Sequence, residues 1–321
     1  MPDVLVSENI IGEAMDALGE RFEVVSEPNL WKQPERLRAI IPEYRALIAR
    51  NQTPITRELI EAGARLEVIA RAGVGMDNVD LEAATEAGIV VAWTPEQNSN
   101  SVAELTIGLM LSLARMIPAA DLDTKNCGWD RQRFIGVELL GKTLGIIGLG
   151  RIGSLTAAKA RALGMEIIAC DPYVEPDSLR AMEVRARLTS LDEVLSLADF
   201  VSCHVPENEE TRGMFSDEKF RLMKPGAFFI NAARGGIVDE DALVRALREK
   251  RIAGAALDVR RVEPGVPSAL DAMPNVILAP HVGAATREAQ RRVVNAVCRD
   301  VAAVLGGEPA KYFVNFSRPK K

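Results

Sequence analysis

At 321 residues the chain is long enough for two domains, each with its own core, and 48% hydrophobic with 26% charged residues is an ordinary globular composition. The net charge is −6 with the signs interspersed, which leaves no basic face for nucleic acid and none for a membrane; the two terminal lysines, Lys320 and Lys321, are expected to be a solvated tail. Cys127, Cys170, Cys203 and Cys298 are far apart and lack paired ligand spacing, so they are expected to be buried thiols of a reducing cytoplasm, with no metal site. The N-terminus enters an apolar strand at once, so no signal peptide is expected.

In chain order, DVLVS is a strand, IIGEAMDALGE a helix closing on Gly19, residues 22–25 a second strand, QPERLRAII a helix opened by Pro34, and YRALIAR a third strand. TPITRELIEAG is a capped helix, LEVIAR a strand, RAGVGMDNVD a loop, LEAATEAG a helix capped by Asp80 and Gly88, and IVVAW a strand. Strands separated by helices imply crossovers and a parallel sheet covered on both faces. Trp93-Thr94-Pro95 breaks this run, and the helix over about 101–117 is apolar nearly all round, which predicts burial between layers or against another subunit. It carries Glu104 and is too short to span a bilayer.

A second α/β unit follows to about residue 285, with strands at DFVSCHV, AFFINA, AGAALDV and NVILAP, and with SLDEVLSLA as a helix opened by a capping box of Ser190 and Glu193. TREAQRRVVNAVCRDVAAVLGG is a long helix expected to return to the first domain, and YFVNF is a short apolar tail. The expected architecture is α/β: two Rossmann-like or flavodoxin-like parallel-sheet domains with a cleft between them. Residues 1–98 with 287–321 form one, discontinuous domain and residues 99–286 the other.

The most informative stretch is GKTLGIIGLGRIGSLTAAKARALGMEIIACD, residues 141–171. An apolar strand ends in Gly148, Gly150 and Gly153, a helix fits residues 151–163 with Gly164 as its cap, and a second strand ends at the acid Asp171. Gly148 makes the tight turn, Gly150 lets a pyrophosphate approach the backbone, and Gly153 lets helix and strand pack closely. Asp171 would bind the adenosine ribose hydroxyls and repel a 2′-phosphate, which predicts NAD over NADP.

In open α/β sheets, ligands bind beyond the carboxyl ends of the strands. In the second domain those ends carry His204, Arg234, Asp258 with Glu263, and His281. Arg234, in NAARGGIVD, offers a planar fork for a carboxylate. Glu263, in ALDVRRVEP, can fix the tautomer of an imidazole, and His281, one of two histidines, is the natural proton carrier. His204 competes for that role, although its place beside Pro206 suits a structural or cofactor-edge position better. In the first domain RAGVGMDN offers free amides for an anion, and Arg50, Arg71 and Asn98 are expected to face the cleft.

These residues bring the chain into register with a family. ARAGVGMDNVDLEAATEAGI, TPEQNSNSVAELT, LLGKTLGIIGLGRIG, NAARGGIVDEDAL, GAALDV with EP, and APHVGAAT resemble, in order, the D-isomer-specific 2-hydroxyacid dehydrogenases, and most closely their D-3-phosphoglycerate dehydrogenase branch. The resemblance implies that Arg234 binds and polarises the keto or hydroxy acid, Glu263 supports the histidine, and His281 is the acid/base. It implies that Thr94, Arg151, Ile152, Asp171, Val205, Ala232, Asp258 and Gly283 line the NAD site. The amides of Ala72, Gly73, Val74 and Gly75, helped by Asn98, would hold the substrate carboxylate. It further implies a homodimer through the cofactor domain, with the helix near 101–117 in the interface and Arg131 reaching the partner's site.

The sequence departs from that pattern at Arg260 and Arg261, where the family usually has an aromatic followed by varied residues, and at Asn51-Gln52. The extra arginines suggest an acid with a second negative group: 3-phosphoglycerate first, then sulfolactate or another sulfonated or dicarboxylic acid, then the glyoxylate and hydroxypyruvate pair. The expected function is NAD-linked hydride transfer at C2 of such an acid. The rivals are a non-catalytic NAD-sensing corepressor and a formate or phosphite dehydrogenase.

Overall fold

The computed structural model describes residues 1–317, so the two terminal lysines lie outside the described residues. The chain divides into two compact units, Met1–Asn98 with Ala285–Lys321, and Ser99–Ala284.

The first unit is built on a parallel sheet of β1 (Val4–Val6), β2 (Val24–Ser26), β3 (Ala46–Ala49), β4 (Val68–Arg71) and β5 (Val90–Ala92), in the order β2-β1-β3-β4-β5. Its strands are apolar on both sides because both faces are covered. Val4, Val6, Ala46, Ile48, Val68, Ala70, Val90 and Ala92 face one core cluster, and Leu5, Leu47, Ala49, Ile69 and Val91 face the other. The first cluster is closed by the helix Arg287–Leu305, through Val293, Val294, Val297, Cys298 and Val301, so the C-terminal helix does return to the unit where the chain starts. Thr56 and Asp80 cap the helices that follow them, each accepting a bond from an amide three residues on. The apolar tail is more than a terminus. Phe313 bridges Ala92 antiparallel, and the Asn315 Oδ1 accepts the Val91 amide at 2.9 Å, so the tail covers the free edge of β5.

The second unit carries seven parallel strands: β6 (Thr143–Ile147), β7 (Glu166–Cys170), β8 (Arg187–Leu188), β9 (Phe200–Cys203), β10 (Phe228–Asn231), β11 (Gly254–Leu257) and β12 (Val276–Leu278). Their order is β12-β11-β10-β9-β6-β7-β8. On one face Phe215, Phe220 and Phe229 form an aromatic cluster with no exposed surface, and truncating any of them to Ala costs about 3–5 kcal/mol. The helix Ser99–Arg115 lies on the other face, burying Leu109, Met110 and Leu113 with Leu144, Ile146 and Phe200. Its apolar character is therefore largely answered within its own unit. Among the described residues no single helix is long and apolar enough to cross a membrane.

Two local expectations need correction. Ser190 Oγ does accept the Glu193 amide at 3.2 Å, but the Glu193 carboxylate turns to Thr189 and Arg187, whose hydroxyl and guanidinium offer it better donors than the cap amide. A full capping box stands at Ser268 and Asp271 instead. Cys127 is exposed, because it sits in the turn after the helix Ile117–Lys125, an element with no buried residue.

Candidate active site

In the seven-stranded sheet β6 lies between β7 and β9, so chain order reverses at its carboxyl end and a crevice opens there. Gly148 occupies that point with φ +91°, and a Cβ on it would lie 2.8–2.9 Å from Val205 Cγ1 and the His204 carbonyl group. Only glycine is unstrained in that conformation. At Gly153 a Cβ would run into the Gly148 carbonyl oxygen, whereas one at Gly150 would meet nothing within 4 Å. The first bond of the helix Arg151–Ala162 runs from the Ser154 amide to Gly150 O at 3.0 Å, which leaves the amides of Arg151, Ile152 and Gly153 outside the helical ladder. Asp171 ends β7 beside this turn, its Oδ2 accepting the Leu149 amide at 2.8 Å and its Oδ1 the Tyr173 amide at 2.9 Å. The residues fit a dinucleotide: an open, side-chain-free approach at Gly150, the first amides of a helix N-terminus, and a carboxylate fixed at the neighbouring strand end.

The adjacent strands β10, β11 and β12 bring the other strand-end residues together. His281 Nδ1 and Glu263 Oε2 are 2.7 Å apart, and the Arg260 amide donates to Glu263 Oε1 at 3.2 Å. Burial alone would raise the Glu263 pKa. The bonds from His281 and the Arg260 amide, with the charges of His281 and Arg234, outweigh it and hold the carboxyl below its ordinary range. The Arg234 guanidinium donates from Nη1 to the Ala233 carbonyl at 2.7 Å.

His281 itself is held with φ +56°, a left-handed conformation that costs a side-chain-bearing residue about 1–2 kcal/mol. Asp258 explains how that conformation persists. Its backbone oxygen accepts the His281 amide at 2.7 Å, and its carboxylate accepts the Val282 and Gly283 amides at 2.8 Å each. Asp258 is 1% exposed, and burial pushes its carboxyl above the usual range against the pull of those two amides. Both of its oxygens are thus spent on the turn that presents His281. Gly283 packs against it, with a Cβ falling 3.0 Å from Asp258 Oδ2.

Sequence reasoning missed Asn231, which has no exposed surface at the end of β10. Its Oδ1 accepts the Ala233 amide at 3.0 Å and its Nδ2 donates to the Arg234 carbonyl at 2.8 Å, so it shapes the turn through Ala232 that carries Arg234. A polar residue closing an apolar strand just before that arginine was the available signal. His204 is a different kind of histidine. Its Nε2 pairs with Ser202 Oγ at 2.8 Å, Nδ1 is buried without a partner among the described residues, and burial lowers its pKa to about 4. It is a neutral ring packed beside the glycine turn.

In the first unit, Arg50 follows β3 and Arg71 ends the neighbouring strand β4. Arg50 donates to Gln290, and the Arg71 guanidinium lies where a Cβ on Gly73 would be. Ala72 and Gly73 are buried, Val74 and Gly75 partly exposed. The Thr94 hydroxyl and Asn98 Oδ1 are buried without partners among the described residues. Arg131 stands on the exposed turn Arg131–Phe134 of the second unit.

Glu8 was also missed. It is 2% exposed at the end of β1 and accepts the amides of Arg50 and Thr53 at 2.8 and 3.0 Å and the Thr53 hydroxyl at 2.8 Å. Reading strand ends in the first unit as in the second would have found it. Arg260 does not serve as expected. It is tied into the protein by Glu240, Asp271 and Ser268, so its charge is not available as an anion site.

The chain resembles known proteins over nearly its whole length. Residues 107–283 match the family model described as D-isomer specific 2-hydroxyacid dehydrogenase, NAD binding domain. The D-3-phosphoglycerate dehydrogenase of Methanocaldococcus jannaschii is 45% identical over 315 residues, covering 98% of this chain and 60% of that protein. The chain thus spans about 60% of the length of this curated relative. The TT0316 protein of Thermus thermophilus superposes with a TM-score of 0.91 at 36% identity, covering 97% of this chain and 99% of that one. A glyoxylate reductase from Paecilomyes thermophila gives 0.87 at 32% identity, covering 98% and 99%.

Proposed function

Because this chain belongs to the D-isomer specific 2-hydroxyacid dehydrogenases, we propose that it catalyses reversible hydride transfer between NAD and C2 of a small D-2-hydroxy acid, with 3-phosphoglycerate and 3-phosphohydroxypyruvate as its pair. The observation that carries the reading is the His281–Glu263 contact at 2.7 Å, set beside Arg234 at the end of the same sheet as the open glycine turn. Gly148, Gly150, Arg151, Ile152, Gly153 and Asp171 would hold the cofactor, with Thr94, Val205, Ala232, Asp258 and Gly283 near it. NAD, when bound, supplies the hydride acceptor in the oxidative direction.

His281 then takes the hydroxyl proton of the acid and returns it in reduction. Glu263, kept ionised, fixes the ring through Nδ1 so that Nε2 is the atom that exchanges the proton. Arg234 binds the carboxylate and draws charge onto the C2 oxygen as a carbonyl forms. The amides of Ala72, Gly73, Val74 and Gly75, with Asn98, are assigned to the carboxylate, and Arg50, Arg71 and a partner subunit's Arg131 to the second anionic group. A homodimer is consistent with the exposed apolar side chains Leu122, Trp129, Ile135 and Leu140 of the second unit.

The relatives support the phosphorylated pair, since a D-3-phosphoglycerate dehydrogenase matches over nearly the whole chain. The likeness to a glyoxylate reductase supports the second reading, reduction of glyoxylate or hydroxypyruvate, and sulfolactate shares the chemistry of the first. A non-catalytic NAD sensor would have no use for the assembled Arg234, Glu263 and His281. The deciding experiment is NADH oxidation with phosphohydroxypyruvate, sulfopyruvate, hydroxypyruvate and glyoxylate. The proposal expects the highest kcat/KM for phosphohydroxypyruvate; a preference for glyoxylate would replace it with the second reading.

A further inference from the structure

Arg260 stands where the family usually has an aromatic, and the structure shows an alternative use for the position. Its guanidinium grips the Glu240 carboxylate as a fork, Nε to Oε1 and Nη2 to Oε2, both at 3.1 Å. Nη2 also donates to Ser268 Oγ at 3.0 Å and Nη1 to Asp271 Oδ1 at 3.4 Å. The two side chains are only 11% and 18% exposed. Exposed pairs contribute little, but a fork held by several partners away from water has one geometry and is costly to break.

Glu240 opens the helix Glu240–Arg248, and its Oε1 also accepts the Arg261 amide at 2.8 Å. One carboxylate thus holds both the side chain of residue 260 and the backbone of residue 261. The same short segment does two things at the site. The Arg260 amide donates to Glu263 Oε1, leaving Oε2 for His281 Nδ1. The Arg260 carbonyl lies where a Cβ on Gly235 would be, so the segment is also seated on the turn after Arg234.

We propose that Glu240 and Arg260 are positioning residues, a half-buried ionic clamp that sets the 260–263 segment so that Glu263 meets His281 while the segment stays seated against the Arg234 turn. This rests on the acid/base reading of His281 and Glu263. The clamp acts in the ground state of the protein and does not touch substrate. The charged groups around Glu263 are His281, Arg234 and Asp258, and none of them is altered by changing the clamp.

The test uses the full chain with NADH and phosphohydroxypyruvate, comparing Arg260→Met, Arg260→Lys and Glu240→Gln with Glu263→Gln and His281→Ala. Displacing Glu263 by a fraction of an ångström predicts a kcat fall of about 10- to 100-fold in Arg260→Met, with NADH binding unchanged. The acid limb of the kcat profile should move to higher pH, because Glu263 loses contacts that hold its carboxyl below the ordinary range. Arg260→Lys keeps the charge without the fork and should fall between wild type and Arg260→Met, with Glu240→Gln near it. Should Arg260→Met not fold, these two variants decide.

An unchanged kcat and acid limb would overturn the clamp. So would a rise confined to the KM for phosphohydroxypyruvate, since that would place Arg260 against substrate. Full turnover in His281→Ala would overturn the acid/base reading and the clamp with it, whereas a dead His281→Ala beside an unaltered Arg260→Met would overturn the clamp alone.

Discussion

The two units differ in strand order but share a switch point, and they use it in opposite ways. In each, one central strand lies between neighbours reached in opposite directions, β1 between β2 and β3, and β6 between β9 and β7, so each has a crevice at a strand end. At the end of β1 stands Glu8, which fills its crevice with a carboxylate and satisfies the loop after β3. At the end of β6 stands Gly148, followed by Gly150 with nothing within 4 Å of a would-be Cβ. The difference shows that a switch point is only an opportunity. A nucleotide needs the crevice left empty with helix N-terminal amides beside it, and only the second unit provides both at this point.

Forcing apart the helix and strand that frame the open crevice should have the largest effect. Gly153→Val would drive a side chain into the Gly148 carbonyl and Ile146, and should abolish measurable NADH binding by fluorescence titration. Retained binding would show that the helix and strand need not approach so closely. Emptying the closed crevice should cost stability instead. Glu8→Ala leaves the amides of Arg50 and Thr53 without their acceptor and should lower unfolding free energy by about 1–3 kcal/mol in urea, with NADH affinity kept. Gly150→Ala sharpens the contrast, because the methyl group meets no protein atom. Its melting temperature should match wild type while the Kd for NADH rises about ten-fold, roughly 1.4 kcal/mol. The smallest expected change is in selectivity. Asp171→Ala removes the carboxylate opposed to a 2′-phosphate, so the NADP-to-NAD ratio of kcat/KM should rise several-fold; an unchanged ratio would remove Asp171 from that role.

The features legible in the sequence were local. Strand, glycine triplet, helix, strand and acid are contiguous, and apolar runs bounded by turn residues revealed most strands of both sheets because the central strands are buried on two faces; the two-residue strand β8, with an exposed and a half-buried residue, left no apolar run to read. Strand-end logic also found His281, Glu263 and Arg234. What it could not see was partnership across sequence distance. Arg260 read as a spare charge because Glu240 lies 20 residues away on another element. Asp258 read only as a cofactor neighbour, and its hold on amides 24 and 25 residues on was not visible. The helix Ile117–Lys125 left no apolar period to read because none of its residues is buried. A charge or a polar residue announces that it needs a partner, and only the fold says which one it has.

The central claim is that proton transfer belongs to His281 and not to the half-buried His204. It is tested most directly by measuring turnover and NADH binding in His281→Ala and His204→Ala side by side. The account predicts that His281→Ala loses at least about 10²-fold in kcat, the lower end of what an acid/base group contributes, while NADH binds almost as in wild type. His204→Ala should retain turnover once saturated with cofactor. Retained turnover in His281→Ala, with loss in His204→Ala, would contradict it.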